Sequence, residues 1–289
     1  MSVTDPRLAL FADRAARVAQ AKLARRRPQT PYGPHGRMFV IAADHPARGA
    51  LATGGDPLAL GDRRELLARL CQALKRPEVN GVLGTADLLE ELLLLGALDG
   101  KTVFGSMNRG GISGSVFEID DRFTAYSAPQ LAASGFDGGK MLLKIDLSNP
   151  ATVRSLEACS RAVDELAAHS LMAIVEPFMS QQVDGRVVND LSTAAMIKAI
   201  GIAAALGSTS AYTWLKVPVV PDMERVLAAS TLPALILGGE VDPDQDATFQ
   251  HWADTLALPT TCGLVVGRTL LFPPDGDVDS ALDSAIALL

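Results

Sequence analysis

The 289-residue chain is 48% hydrophobic and 20% charged, long enough to bury the core of one large barrel or of two smaller domains. A net charge of −7, a pI near 5.1 and the absence of any basic stripe exclude a general affinity for nucleic acid or for an anionic membrane surface. No apolar run approaches the roughly 20 residues of a membrane span, the N-terminus lacks a secretory pattern, and three widely spaced cysteines fit neither a disulfide framework nor a zinc motif, so a cytoplasmic protein is expected.

An amphipathic pattern through Leu8, Leu10, Phe11, Ala15 and Val18 ends at Arg25, Arg26, Arg27 and Pro28, which predicts a leading helix with a solvated, cationic C-terminus. Eight short apolar runs follow, at 38–43, 81–84, 102–107, 141–145, 171–175, 212–220, 234–239 and 263–267. Helical patterns lie between and after them at 62–75, 86–96, 128–134, 151–168, 192–206, 222–229, 244–257 and 277–288, with Asn149-Pro150, Asp190 and Asp242-Pro243 as start signals. Eight strands alternating with eight helices predict an α/β fold, a (β/α)8 TIM barrel with an additional N-terminal helix. One domain is expected, with residues 1–37 as helical extension and 38–289 as barrel. A doubly wound sheet is disfavoured because no G-x-G-x-x-G opens a helix after the first run and no P-loop is present. The longest connection, 108–127, carries NRGGISGSVFEIDD, whose glycines suggest an active-site loop or small lid; ARGALATGGD and SQQVDGRVVND are weaker signals of the same kind.

Barrel chemistry gathers at the C-terminal ends of the strands. There the runs deliver Asp44 and His45, Asn108 and Arg109, Lys140, Lys144 and Asp146, Glu176, Lys216, then Gly238-Gly239-Glu240 and Gly267-Arg268. Alternation puts Lys140, Leu142, Lys144 and Asp146 on one face of their strand, and Trp214, Lys216 and Pro218 on one face of theirs. If both faces point inward, several lysines and carboxylates converge, and at least one amine must titrate low through desolvation and like-charge repulsion. Lys216, inside the apolar run AYTWLKVPVV, is the most enclosed, so it is the candidate nucleophile and Glu176 its acid/base partner. A purely structural Lys-Glu layer is the competing interpretation. The glycines of the last two strand ends, with Arg268, suggest a phosphate site. The histidines are too scattered for a metal site, His45 reading as a hydrogen-bonding residue; Mg²⁺ on Asp44, Asp146 and Glu176 is a minor alternative.

These residues resemble the class I aldolases of the archaeal-type fructose-bisphosphate, tagatose-bisphosphate and deoxyribose-phosphate aldolase group. AADHPARGAL (42–51) is similar to the family's first-strand Asp segment, FDGGKMLLKID (136–146) to its fourth-strand lysine segment, and AIVEPF (173–178) to its fifth-strand Glu-Pro. WLKVPVV (214–220) resembles the Schiff-base segment, and LILGGEVD (235–242) with VVGRTLLF (265–272) the phosphate-binding ends. The resemblance implies Lys216 as the imine-forming residue, Glu176 as proton carrier, Asp44 as a helper in carbinolamine turnover, and a lysine beside the imine that is Lys140 or Lys144. Gly239 and Arg268 would hold phosphate, and Lys144, Asn108, Arg109 and Gly267 complete the substrate-binding set. Lys144 and Ile145 stand where tagatose-type enzymes carry tyrosines, and Glu240 is added at the seventh strand end. An actinobacterial aldolase-like family associated with inositol breakdown is the nearest likeness, which implies a phosphorylated keto-deoxy sugar acid. The expected function is a lyase without a cofactor or metal, acting on a phosphorylated sugar or sugar acid in a homo-oligomer. The alternatives are a thiolase-like acyltransferase and a non-catalytic sugar-phosphate-binding barrel.

Overall fold

The computed structural model describes residues 13–289. It opens with α1 (Arg14–Ala24), so Leu8, Leu10 and Phe11 of the expected leading helix lie outside the described residues. The barrel then runs β1 (Met38–Ala42), α2 (Arg63–Leu74), β2 (Gly81–Gly84), α3 (Ala86–Leu94), β3 (Thr102–Ser106), α4 (Ala128–Ala133), β4 (Gly138–Ile145) and α5 (Ala151–Ala168). It continues with β5 (Met172–Val183), β6 (Arg186–Asp190), α6 (Thr193–Ala204), β7 (Thr213–Pro218), α7 (Met223–Leu227), β8 (Ala234–Leu237), α8 (Gln245–Leu256), β9 (Thr261–Val266), α9 (Arg268–Leu271) and α10 (Val278–Ile286). The sheet order β4-β3-β2-β1-β9-β8-β7-β5, closed by β4 against β5, is an eight-stranded parallel barrel.

Period-2 alternation sorts the side chains. On β4, Met141, Leu143 and Ile145 pack outward with the helices, as do Ala173 and Val175 of β5 and Leu215 and Val217 of β7. Inside, Met38, Val40, Leu83, Phe104, Ile174, Leu235 and Val265 form an apolar plug against which Met172, Trp214 and Cys262 pack. Tyr32 of the extension stacks on Trp214 beneath it, ring centroids 6.1 Å apart. The next inward positions up, Lys140 on β4, Glu176 on β5 and Lys216 on β7, therefore stand on this plug at the C-terminal side of the barrel.

Three expectations change. The leading helix ends at Ala24 as its pattern indicates, but Arg25 is buried rather than solvated. Its guanidinium donates to Leu98 O at 3.2 Å, Gly135 O at 2.7 Å and Lys101 O, and pairs with Asp137 at 3.2 Å. It satisfies carbonyls of the loops that lead into β3 and β4, and so clamps the extension onto the barrel. The segment 180–190, expected as loop, is the tip of a hairpin: β5 extends past the barrel and pairs antiparallel with β6. Asp184 and Gly185, at φ 50° and 77°, form the two-residue turn, a conformation that Asp-Gly favours. Helix caps sit two residues beyond two expected signals: Ser192 accepts from Ala195 N and Asp244 from Ala247 N, while Asp190 and Asp242 brace the preceding turns.

Candidate active site

Above the plug lies a cavity of about 510 Å³, lined from six barrel strand ends, the loops that follow them and the loop after β3. Its floor is a cluster of buried charges. Lys216 Nζ donates to Glu176 Oε1 at 2.7 Å, and Lys140 Nζ pairs with Glu176 Oε2, so one carboxylate bridges two amines. Lys140 also reaches Asp44 Oδ2 at 3.4 Å. Asp44 in turn accepts Ser106 Oγ at 2.9 Å and pairs with Arg109. Lys216, Lys140 and Asp44 are each under 5% exposed.

The register explains this convergence. Lys140 pairs with Ile174 and Leu142 with Glu176, while Ile174 pairs with Trp214, so Glu176 and Lys216 each stand two residues past a plug residue. Two residues is one pleat repeat, which returns the side chain to the interior.

Electrostatics divide the roles. Burial alone would raise the Glu176 carboxyl, but the Lys140 and Lys216 ammonium groups outweigh it and hold Glu176 well below the usual carboxylate range. Burial pushes the Lys140 ammonium well below its ordinary value, Lys216, Arg109 and Arg48 push the same way, and Glu176 opposes them. Burial also brings Arg109 down to about 10, leaving it cationic at neutral pH. Three cations thus face two carboxylates, and loss of one amine proton neutralises the cluster.

His45 lines the cavity with a buried Nδ1 that has no hydrogen-bond partner among the described residues. Burial, with Arg268, Lys216 and Lys140 nearby, pushes its imidazole down to about 3, so it is neutral across the physiological range. Gly267 lies beside it because a Cβ there would come within 2.2 Å of Ala42 O and 3.1 Å of His45 Cε1. Gly239, at φ 71°, turns the chain after β8 so that its carbonyl accepts Arg268 at 3.1 Å across the cavity rim.

Among the expected substrate-binding residues, Lys144, Arg109, Gly239, Gly267 and Arg268 line the cavity. Asn108 does not: its amide is spent on Leu142, donating to O at 2.5 Å and accepting from N at 2.9 Å, which ties the end of β3 to β4. Lys140 is the lysine that shares a carboxylate with Lys216; Lys144 pairs with Glu118 of the loop after β3. Asp146 also stands apart, accepting from Ser148 N at 2.9 Å in its own turn. Among the described residues no group of three or more His, Cys, Asp or Glu side chains is placed to hold a metal ion.

Sequence reasoning missed Ser106, Arg48, Glu118 and Asp121. Arg48 donates to Asn108 O at 2.7 Å and Gly111 O at 2.9 Å and pairs with Asp121 at 2.6 Å. With Asp121 accepting Gly111 N at 2.9 Å, these contacts hold the loop 108–127 as an ordered strap over one side of the cavity. The hairpin borders another side through Asn189, and Leu191 follows it. The Asp-Gly dipeptide at 184–185 was a readable turn signal for the hairpin; ion pairs between distant loops had none.

The profile of the Cgl0159-like family matches residues 36–286, and the chain belongs to that family. The crystal structure of Cgl0159 from Corynebacterium glutamicum is similar at 51% identity and TM-score 0.93, covering 96% of this chain and 94% of that one. An archaeal fructose-1,6-bisphosphate aldolase, solved with its catalytic lysine bound to a carbinolamine intermediate, matches at 17% identity and TM-score 0.63, covering 94% and 97% of the two chains. Fructose-bisphosphate aldolase from Slackia heliotrinireducens matches at 14% identity and TM-score 0.61, covering 94% and 84%. At these identities the aldolases share the barrel fold. No curated protein matches the sequence.

Proposed function

We propose that this Cgl0159-like chain is a class I aldolase, an aldehyde-lyase in which Lys216 forms a Schiff base with the ketone of a phosphorylated sugar or keto-deoxy sugar acid. The observation that carries the reading is Lys216 Nζ 2.7 Å from Glu176 Oε1 above the apolar plug, inside a cavity large enough for a small sugar phosphate. Lys216 is the amine freer to reach a carbonyl, with Glu176 its single carboxylate partner, whereas Lys140 is tied between Glu176 and Asp44. The resemblance of WLKVPVV to a Schiff-base segment supports the same choice.

Neutral Lys216 adds to the ketone carbon, and with one proton taken up the oxygen leaves as water. The iminium then accepts the electron pair of the bond between the α and β carbons while the β hydroxyl loses its proton, releasing an aldehyde and leaving an enamine. Protonation at carbon and hydrolysis return the free amine. Glu176, hydrogen-bonded to both amines, is the proton carrier; Lys140, readily deprotonated, exchanges protons with it; Asp44 with Ser106 and Arg109 steadies Lys140.

The cavity lining supports an anionic substrate: Arg48, Arg109, Lys140, Lys144, Lys216 and Arg268 outnumber Asp44, Glu118, Glu176 and Glu240 within a chain of net charge −7. Phosphate is assigned to Arg268 with the backbone at Gly239 and Gly267, and Lys144 to the far end. Release of aldehyde from a panel of ketose phosphates and phosphorylated keto-deoxy acids tests the reading. Arg268→Ala should raise KM about tenfold or more for the phosphorylated compound, with a smaller change in kcat. Turnover that requires coenzyme A would make the protein an acyltransferase, and binding without turnover would make it a sugar-phosphate-binding barrel.

A further inference from the structure

The hairpin leaves one edge of β6 open, since β6 ends the sheet order and pairs with β5 alone among the described residues. In a two-residue hairpin the pair flanking the turn, Val183 and Arg186, exchanges hydrogen bonds, and such pairs then alternate along the ladder. The backbone groups of Arg186, Val188 and Asp190 are thereby committed to β5, while those of Val187 and Asn189 face the open edge. The side chains of Arg186, Val188 and Asp190 share one face of the strand and are exposed, Val188 to 46%, with Val183 and Leu191 adding exposed apolar surface at 43% and 48%.

We propose that this edge joins a second copy of the chain about a two-fold axis at Val188, making a four-stranded antiparallel ribbon of two hairpins. Three two-fold registers bring the outward groups of Val187 and Asn189 into hydrogen-bonded positions, centred on Val187, Val188 or Asn189. The first sets Val188 opposite Arg186 and the last sets it opposite Asp190. Only the register centred on Val188 pairs Arg186 of each copy with Asp190 of the other and packs Val188 on itself. A lone edge strand is usually protected from pairing by its charges; here opposite signs placed symmetrically about an apolar residue make the edge self-complementary. Asn189 lines the cavity and Leu191 follows at its mouth, so the joint places the two cavity mouths beside one another.

Sedimentation velocity of the full chain tests this, independently of any activity. The wild type should form an even-numbered assembly, and Val188→Lys should sediment at half its mass. Arg186→Glu alone and Asp190→Lys alone should each do the same. An equimolar mixture of those two single variants should regain the wild-type mass, because every cross-pair then joins opposite charges. Asp190 Oδ1 also accepts Ser192 N at 2.9 Å ahead of α6; if Asp190→Lys does not fold, Arg186→Glu and Val188→Lys decide the question. A monomeric wild type, an undiminished Val188→Lys assembly, or a folded mixture that stays at half mass would overturn the proposal.

Discussion

Lys216 and Lys140 lie on one carboxylate, and their neighbours make them unequal. Lys140 has two carboxylate partners and two buried arginines nearby, whereas Lys216 has Glu176 alone and stands above the apolar plug. Alternation along the two strands made the inward faces legible from sequence, because each lysine is one pleat repeat past a plug or glycine position. Which lysine would neighbour Lys216 was not legible, since Glu118, the partner that draws Lys144 away, comes from a loop 26 residues earlier. His45 gives a measurable consequence of burial beside the same cations. Its imidazole, near 3 in the folded chain, takes up a proton near 6.5 when unfolded, so the unfolded state binds more protons between those values. Stability should fall as pH drops through that window, by up to about 1.4 kcal/mol per unit from this one group. Urea melts of His45→Asn should show a shallower fall between pH 6.5 and 4.5 than the wild type; equal slopes would mean that His45 charges freely in the folded protein.

Among the elements, the eight apolar runs and the helices between them are local patterns, and each appears at its expected place in the barrel. The β5–β6 hairpin escaped because its arms mix polar residues with valines in no regular alternation, and the short α9 because four residues carry no period. The loop 108–127 was read as a lid from its glycines, yet its order comes from Arg48, Asp121, Lys144 and Glu118. Its exposed tip carries Phe117, a chymotrypsin site. Asp121→Asn removes the charge that Arg48 pairs with, and breaking one side of a buried pair typically costs about 3–5 kcal/mol. Much of that cost should fall on the strap, because the strap can detach without opening the barrel. Chymotrypsin cleavage at Phe117 should therefore speed up at temperatures where the main melting transition is little changed. Unchanged cleavage would place the strap's stability in its backbone turns.

Across the whole molecule, the two ends of the barrel have separate tasks. The N-terminal end is closed by Tyr32 on Trp214 and by Arg25, whose partners lie 73 to 112 residues away in sequence, which is why an arginine run resembling a solvated helix end hid a clamp. The C-terminal end gathers cations in an acidic chain. Arg25→Met should cost about 3–5 kcal/mol of stability by stranding loop carbonyls, lowering the melting temperature while leaving the yield of lysine adduct per folded chain unchanged. A variant that melts like the wild type would show that the clamp adds nothing. We propose that the amine of Lys216, at the C-terminal end, condenses with a ketone. Incubation with dihydroxyacetone phosphate and borohydride, followed by peptide mass mapping, should place one reduced adduct on Lys216 in the wild type and none in Lys216→Met. An adduct on Lys140 alone, or a wild type that turns substrate over with no adduct on any lysine, would contradict it.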